Sequence, residues 1–155
     1  VYPLDNEIAG ADVLAREALA RSISHGNERL MRSCDLIIAN CTPFRGVSMD
    51  AGTAFEIGFM RALGRPVLAY SNVVADYAER VRATPEAAQA AWCDETRAAD
   101  IEDFGLAENL MIAIAAEDAA GRFVTRAVAA DRRLSDLAAF EECLALAWQS
   151  VFNAP

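Results

Sequence analysis

Asp50 and Glu56 are the residues whose type and spacing most suggest chemistry. They stand six positions apart in Asp50-Ala-Gly-Thr-Ala-Phe-Glu56-Ile-Gly, after an apolar run and a glycine-containing loop. The pattern predicts a helix that opens at Asp50 and stops at Gly64 and Pro66. A helix N-terminus favours a carboxylate by roughly 0.3–1 kcal/mol, so an acid placed there is expected to stay ionised at neutral pH. Phe55, Ile57, Phe59 and Met60 make most of the helix circumference apolar. Glu56 is therefore expected to be partly buried, where an unpaired carboxylate is costly and usually functional. Gly52 lets the backbone pass close to a ligand. Taken singly, Asp50 also reads as a helix N-cap, Glu56 as a surface residue, and Phe44 and Arg45 as loop residues. The residues alone define a small-molecule site that uses a carboxylate.

These acids need a scaffold that puts them on one edge. Asp35-Leu-Ile-Ile-Ala-Asn-Cys41 is a continuous apolar run, as in a parallel strand covered on both faces. Pro66-Val-Leu-Ala-Tyr70 is a second such run, and the helix between them makes a βαβ unit with a parallel sheet. In open α/β sheets, ligands sit beyond the carboxyl ends of the strands. That rule keeps Asp50 and Glu56 and discards Asp35, which starts its strand at the opposite edge. Val1 to Leu4 reads as a short strand. Ala11 to Ile23 reads as a helix stopped at Gly26, and Asn27 as the cap of a short helix whose N-terminus returns to the functional edge near His25.

Farther on, Ala75 to Arg82 and Pro85 to Ala99 read as outer helices, and a turn at Gly105 leads to an apolar helix near Glu108. Leu134 to Phe152 reads as a last helix, apolar at Leu137, Phe140, Leu144, Ala147, Trp148 and Val151. Residues 1–155 are expected to form a single three-layer α/β/α domain.

Composition removes several function classes. The chain carries a net charge of −9, and all fourteen basic residues are Arg. Without lysine there is no Schiff-base chemistry and no P-loop, and an acidic surface makes nucleic acid a poor partner. Cys34, Cys41, Cys93 and Cys143 show no CxxC spacing and His25 is the one histidine, so no metal is expected. The thiols read as the buried, reduced cysteines of a cytoplasmic protein. No apolar run reaches the roughly 18–20 residues that span a bilayer, and the first residues lack the basic n-region of a secretory signal.

Several blocks occur in a definite order: Val1-Tyr-Pro-Leu-Asp-Asn-Glu, Asn27 to Asp35, Ala39-Asn-Cys-Thr-Pro-Phe-Arg-Gly, Asp50-Ala-Gly-Thr-Ala-Phe-Glu-Ile-Gly, Leu63-Gly-Arg-Pro-Val, and Glu102-Asp-Phe-Gly-Leu-Ala-Glu-Asn-Leu-Met. Together they resemble the nucleoside 2-deoxyribosyltransferase family, from the first residue to about Met111. The resemblance implies a flavodoxin-like, doubly wound parallel sheet, with the usual first strand expected to be missing from this chain. It implies transfer of 2-deoxyribose between nucleobases in nucleotide salvage, without a cofactor. The partners would be deoxynucleosides and free bases.

By the same resemblance Glu56 is the nucleophile that forms a covalent deoxyribosyl intermediate, with net retention. Asp50 hands a proton to the leaving base and recovers one from the incoming base. Asn27, Phe44, Gly52, Asn109 and Met111 bind substrate. Asn109 and Met111 match a segment that reaches a neighbouring subunit's site, with the Asn on the sugar 5′-hydroxyl, so a homo-oligomer with shared sites is implied. The sequence departs from the family at Asn27, where classical members carry an Asp, and in lacking their N-terminal Gly-Pro turn. An N-glycoside hydrolase acting on deoxynucleosides or deoxynucleotides, and a non-catalytic nucleoside-binding module, are the alternatives.

Overall fold

Residues 13–85, 101–118 and 122–149 are described by a computed structural model. The chain divides into two units, residues 1–34 and 35–155. In the first unit one helix, α1 (Val13–Ser33), runs without interruption. The expected stop at Gly26 and the second helix capped by Asn27 are therefore corrected: both residues lie inside α1. An interior glycine costs only about 1 kcal/mol relative to alanine, and Ala, Arg, Leu, Glu and Met on either side are good helix formers. Arg21 and Glu17, one turn apart, add an exposed ion pair. The strand expected at residues 1–4 lies outside the described residues.

The second unit begins with β1 (Ile37–Asn40), a short core of the expected 35–41 run. It continues through α2 (Ala51–Ala62) and β2 (Val67–Ser71). Helices α3 (Tyr77–Arg82) and α4 (Leu110–Asp118) follow, then β3 (Phe123–Thr125). After a 3-10 turn at Ala130–Arg132 comes α5 (Ala138–Ala147). The helix expected over 85–99 falls largely outside the described residues.

The three strands are parallel in the order β1-β2-β3, with Ile37 opposite Val67 and Ala69 opposite Phe123. Because the order advances in one direction, crossovers of one hand must lie on one face. Helices α2 and α4 do so: they pack on each other and on the sheet, whereas α5 packs on all three strands and touches neither. The result is the α/β/α layering that the sequence predicts.

β3 escaped the sequence reading because Phe-Val-Thr is three residues long and flanked by Arg122 and Arg126. The last helix starts at Ala138 rather than Leu134, and its buried face also differs. Ala139, Cys143 and Ala147, spaced by four, pack against Leu68, Tyr70 and Val124, while Leu137 (56%), Leu144 (47%) and Trp148 (62%) are exposed. Small side chains let a helix approach a sheet closely, which a count of large apolar residues does not reveal. Gly64 takes φ 69 after α2 and donates to Arg61 O at 3.0 Å, the expected stop. Among the described residues no helix is long and apolar enough to cross a membrane.

A methyl group at Gly26 would meet nothing closer than the Arg29 side chain at 3.9 Å. Gly26→Ala is expected to stabilise α1 by about 1 kcal/mol. A thermal melt followed by circular dichroism tests this, and a lower helix melting temperature would contradict a helix continuous through residue 26.

Candidate active site

The site is built where β1 and β2 end. Asn40 Oδ1 accepts from the Thr42 N–H at 3.0 Å, which turns the chain out of β1. Thr42 Oγ1 accepts from the Asn72 N–H at 3.0 Å, tying the two strand ends together. Beyond it the Phe44 N–H donates to Ser48 O at 2.9 Å and closes a loop. Arg45 at its tip has φ 58, and its guanidinium carbon lies 4.8 Å from the Phe44 ring centroid. Phe44 is thus held on the loop with its ring partly open to solvent.

The loop delivers Asp50 to the start of α2. Its backbone is extended, and Oδ2 accepts from the Gly52 N–H at 2.9 Å, so Asp50 is an N-cap. A Cβ at Gly52 would sit 2.8 Å from that same oxygen. Gly52 therefore has an intramolecular reason to be glycine, beside the close approach to a ligand expected of it. Glu56 follows one helical turn beyond Gly52, at the margin of the face buried by Ile57 and Met60. It is half-buried, as expected from its apolar neighbours. Burial raises its pKa above the ordinary 4.5, and the charge of Asp50 raises it further. Glu56 lies in the second turn of α2, beyond the first turn in which a helix N-terminus acts on a charge. No cation of the described residues forms an ion pair with Glu56.

Two residues that sequence reasoning missed hold this edge together. The Arg80 side chain is 8% exposed and that of Glu108 0%, and Nη2 of Arg80 donates to Oε2 of Glu108 at 2.8 Å. Arg80 also donates from Nε to Val47 O at 2.7 Å, and from Nη1 to Ala75 O at 2.7 Å and Ala107 O at 2.8 Å. The other oxygen of Glu108 accepts from Ser48 Oγ at 2.7 Å and from the Asn109 N–H at 3.1 Å. Arg80 comes from α3, whose start is fixed by a reciprocal cap between Asp76 and Glu79. No local pattern announces the pair.

Asn109 caps α4: its Oδ1 accepts from the Met111 N–H at 3.0 Å. Its Nδ2 donates to both oxygens of Glu102, each at 3.0 Å, and the Leu110 N–H reaches Glu102 at 3.1 Å. Met111, in the first turn of α4, is 71% exposed. Through Glu108, Asn109 is brought to the loop that precedes Asp50. Asp50, Gly52 and Glu56 thus form one group and Asn109 stands on a neighbouring segment of the same edge. Asn27 belongs to the other unit and is exposed within α1.

Asp35 lies at the opposite edge, 3.7 Å from Arg65, as predicted. An open cleft of about 550 Å³ beside the loop is lined by Pro43, Gly46, Val47, Val73, Arg80 and Arg133. Neither Asp50 nor Glu56 lines it, so the cleft flanks the carboxylates and does not contain them. Cys41 and Cys143 are buried free thiols, and burial raises the pKa of both, that of Cys143 to about 11. Neither is poised as a nucleophile. Among the described residues no three His, Cys, Asp or Glu side chains cluster as metal ligands.

The sequence model of the family described as nucleoside 2-deoxyribosyltransferase matches residues 1–111. An uncharacterized protein of Schizosaccharomyces pombe is 32% identical over 83 residues, which is 53% of this chain and 39% of that protein. A solved structure, 2-desoxiribosyltransferase from Leishmania mexicana, is similar at 30% identity with a TM-score of 0.48, covering 68% of this chain and 59% of that one. The chain therefore spans less than two thirds of the length of either relative.

The shifted carboxylate gives two expected outcomes. A raised folded-state pKa means that the stability Glu56 contributes is complete below its unfolded-state value and is lost as pH rises through the folded value. Ionised Glu56 thus costs stability at neutral pH. Glu56→Gln should melt higher than wild type at neutral pH, with the lead shrinking as pH falls through the raised folded-state value and gone below 4.5. An equal lead at both pH values would show that the effect is not charge. In Asp50→Asn, an NMR titration should place the Glu56 pKa lower than in wild type but still above 4.5, since burial is the larger cause. No change would mean that the two carboxylates do not sense each other.

Proposed function

Because the chain belongs to the nucleoside 2-deoxyribosyltransferase family, we propose that it moves 2-deoxyribose from one nucleobase to another, with Glu56 as nucleophile and Asp50 as proton carrier. The observation that carries this reading is the pair itself: a half-buried Glu56 whose proton affinity is raised by burial and by the charge of a capping Asp50. An ionised carboxylate in such a place is more basic than one in open water, which favours its attack on carbon.

In the first step an ionised Glu56 oxygen bonds to the anomeric carbon, the C–N bond breaks, and the leaving ring nitrogen takes the proton from Asp50. In the second, a nitrogen of the incoming base displaces Glu56 and its proton returns to Asp50. Two inversions give net retention. Phe44 on its loop offers an aromatic face to a base. Gly52, by keeping Asp50 capped, sets the direction of its second oxygen.

Glu102 bears on the substrate class. Its carboxylate holds the Asn109 amide, so if Asn109 meets the 5′ position, a negative charge stands behind it. A hydroxyl can donate into such a group and a phosphate is repelled. This favours nucleosides over nucleotides. The exposure of Met111 supports a segment that meets another subunit. Asn27 would reach the base as a hydrogen-bonding carboxamide. A role in salvage and a cytoplasmic location belong to the same reading.

Incubation with a deoxynucleoside and a second free base, followed by chromatography, is expected to yield the exchanged nucleoside. Glu56→Ala should lower the rate by more than about 10³-fold. Free deoxyribose without exchange would transfer the assignment to a hydrolase. Bound nucleoside with neither product would make the chain a binding module.

A further inference from the structure

The Arg80–Glu108 pair takes no part in the chemistry above, yet it is the one ion pair of the described residues with both side chains buried; in every other, at least one partner is exposed. Its partners are not scattered. Val47 and Ser48 end the loop that delivers Asp50, Ala75 lies in the turn after β2, and Ala107 and Asn109 flank Glu108 itself. Three connections at the carboxyl ends of the strands therefore converge on two side chains.

Burial alone does not explain the choice of residues. Apolar side chains of similar volume fill such a space without the desolvation cost of two charges. They cannot impose direction, whereas a guanidinium presents donors in a fixed plane and a carboxylate accepts along fixed lines. Arg80 uses Nε, Nη1 and Nη2, and Glu108 uses both oxygens. The network is complete, and any shift of one connection breaks a bond to another.

We propose that Arg80 and Glu108 are positioning residues of the site, setting the loop that ends in Asp50 against the segment that ends in Asn109. The claim about activity rests on the transferase reading; the claim about register does not. Neither residue is assigned a contact with substrate. They act through Ser48, two positions before Asp50, and through the amide of Asn109.

The test separates stability from register. The double variant Arg80→Met with Glu108→Leu removes both charges and keeps the volume. It should remain folded, its melting temperature lowered only through the donors lost to the carbonyls of Val47, Ala75 and Ala107, while kcat/KM for exchange, read well below that temperature, falls by about tenfold or more. Arg80→Lys, which keeps the charge and loses the fork, should lose activity without rescue. A double variant that recovers wild-type activity along with wild-type stability would overturn the proposal.

If the wild type performs no exchange, the transferase reading fails and amide hydrogen exchange decides the register. Residues 43–49 and 107–111 of the double variant should then exchange about tenfold faster than in wild type, with β1 to β3 unchanged. Equal protection of those segments would overturn it. Should the double variant not fold, Ser48→Ala, which removes one bond to Glu108, is read by the same measurement: faster exchange at 43–49 is expected, and unchanged protection rejects the proposal.

Discussion

The buried contact between Arg80 and Glu108 is the constraint on which the functional edge depends. Taking two charges out of water costs several kcal/mol per ion, and their attraction and hydrogen bonds roughly offset that cost. Losing one partner is different, because about 3–5 kcal/mol is then forfeited to an uncompensated charge. The pair thus contributes little net stability while strongly penalising rearrangement. That is the behaviour a site requires of its supports. Loops beyond a sheet have no ladder to hold them, and the carbonyls of Val47, Ala75 and Ala107 need donors. A planar fork holds donors on three nitrogens in fixed directions, whereas the ammonium of a lysine offers rotating donors from one atom.

α2 shows the opposite arrangement, a charge left without a matching cation. Glu56 lies in the second turn, beyond the first turn in which a helix N-terminus acts on a charge, and burial together with the charge of Asp50 turns its pKa upward. Nothing in folding rewards such a placement. Sites that hold a reactive group in an unfavourable environment commonly give up stability to do so. Within one edge, Glu108 is a carboxylate saturated with donors and Glu56 is one that no arginine of the described residues neutralises.

The difference between those two glutamates also explains what was legible in the sequence. Asp50, Gly52 and Glu56 are linked by cap geometry and helical period, which operate over a few residues and survive in a linear pattern. The β1–α2–β2 unit was readable for the same reason, since its apolar runs and the Gly64 stop are local. Arg80 and Glu108 lie 28 positions apart, and each resembles a surface charge until the topology brings α3 under the 101–109 segment. Asn109 was noticed through its block of sequence, but its capture by Glu102 was not. The errors have the same origin. Gly26 was given more breaking power than an interior glycine has. The inner face of α5 was assigned to its large residues, although close packing on the sheet selected Ala139, Cys143 and Ala147.

Asp50 joins the local and the non-local parts, because its cap fixes one oxygen and leaves the other for a proton. Oδ2 can accept from the Gly52 amide whether the acid is ionised or carries a proton on its second oxygen. Capping and proton transfer are therefore compatible, provided residue 52 has no side chain to crowd the carboxylate. In the proposed reaction the negative charge of Glu56 is consumed in its bond to the anomeric carbon while the leaving base takes a proton from Asp50. That step asks Asp50 to stay within reach of the base, and so asks the loop before it to be held in place.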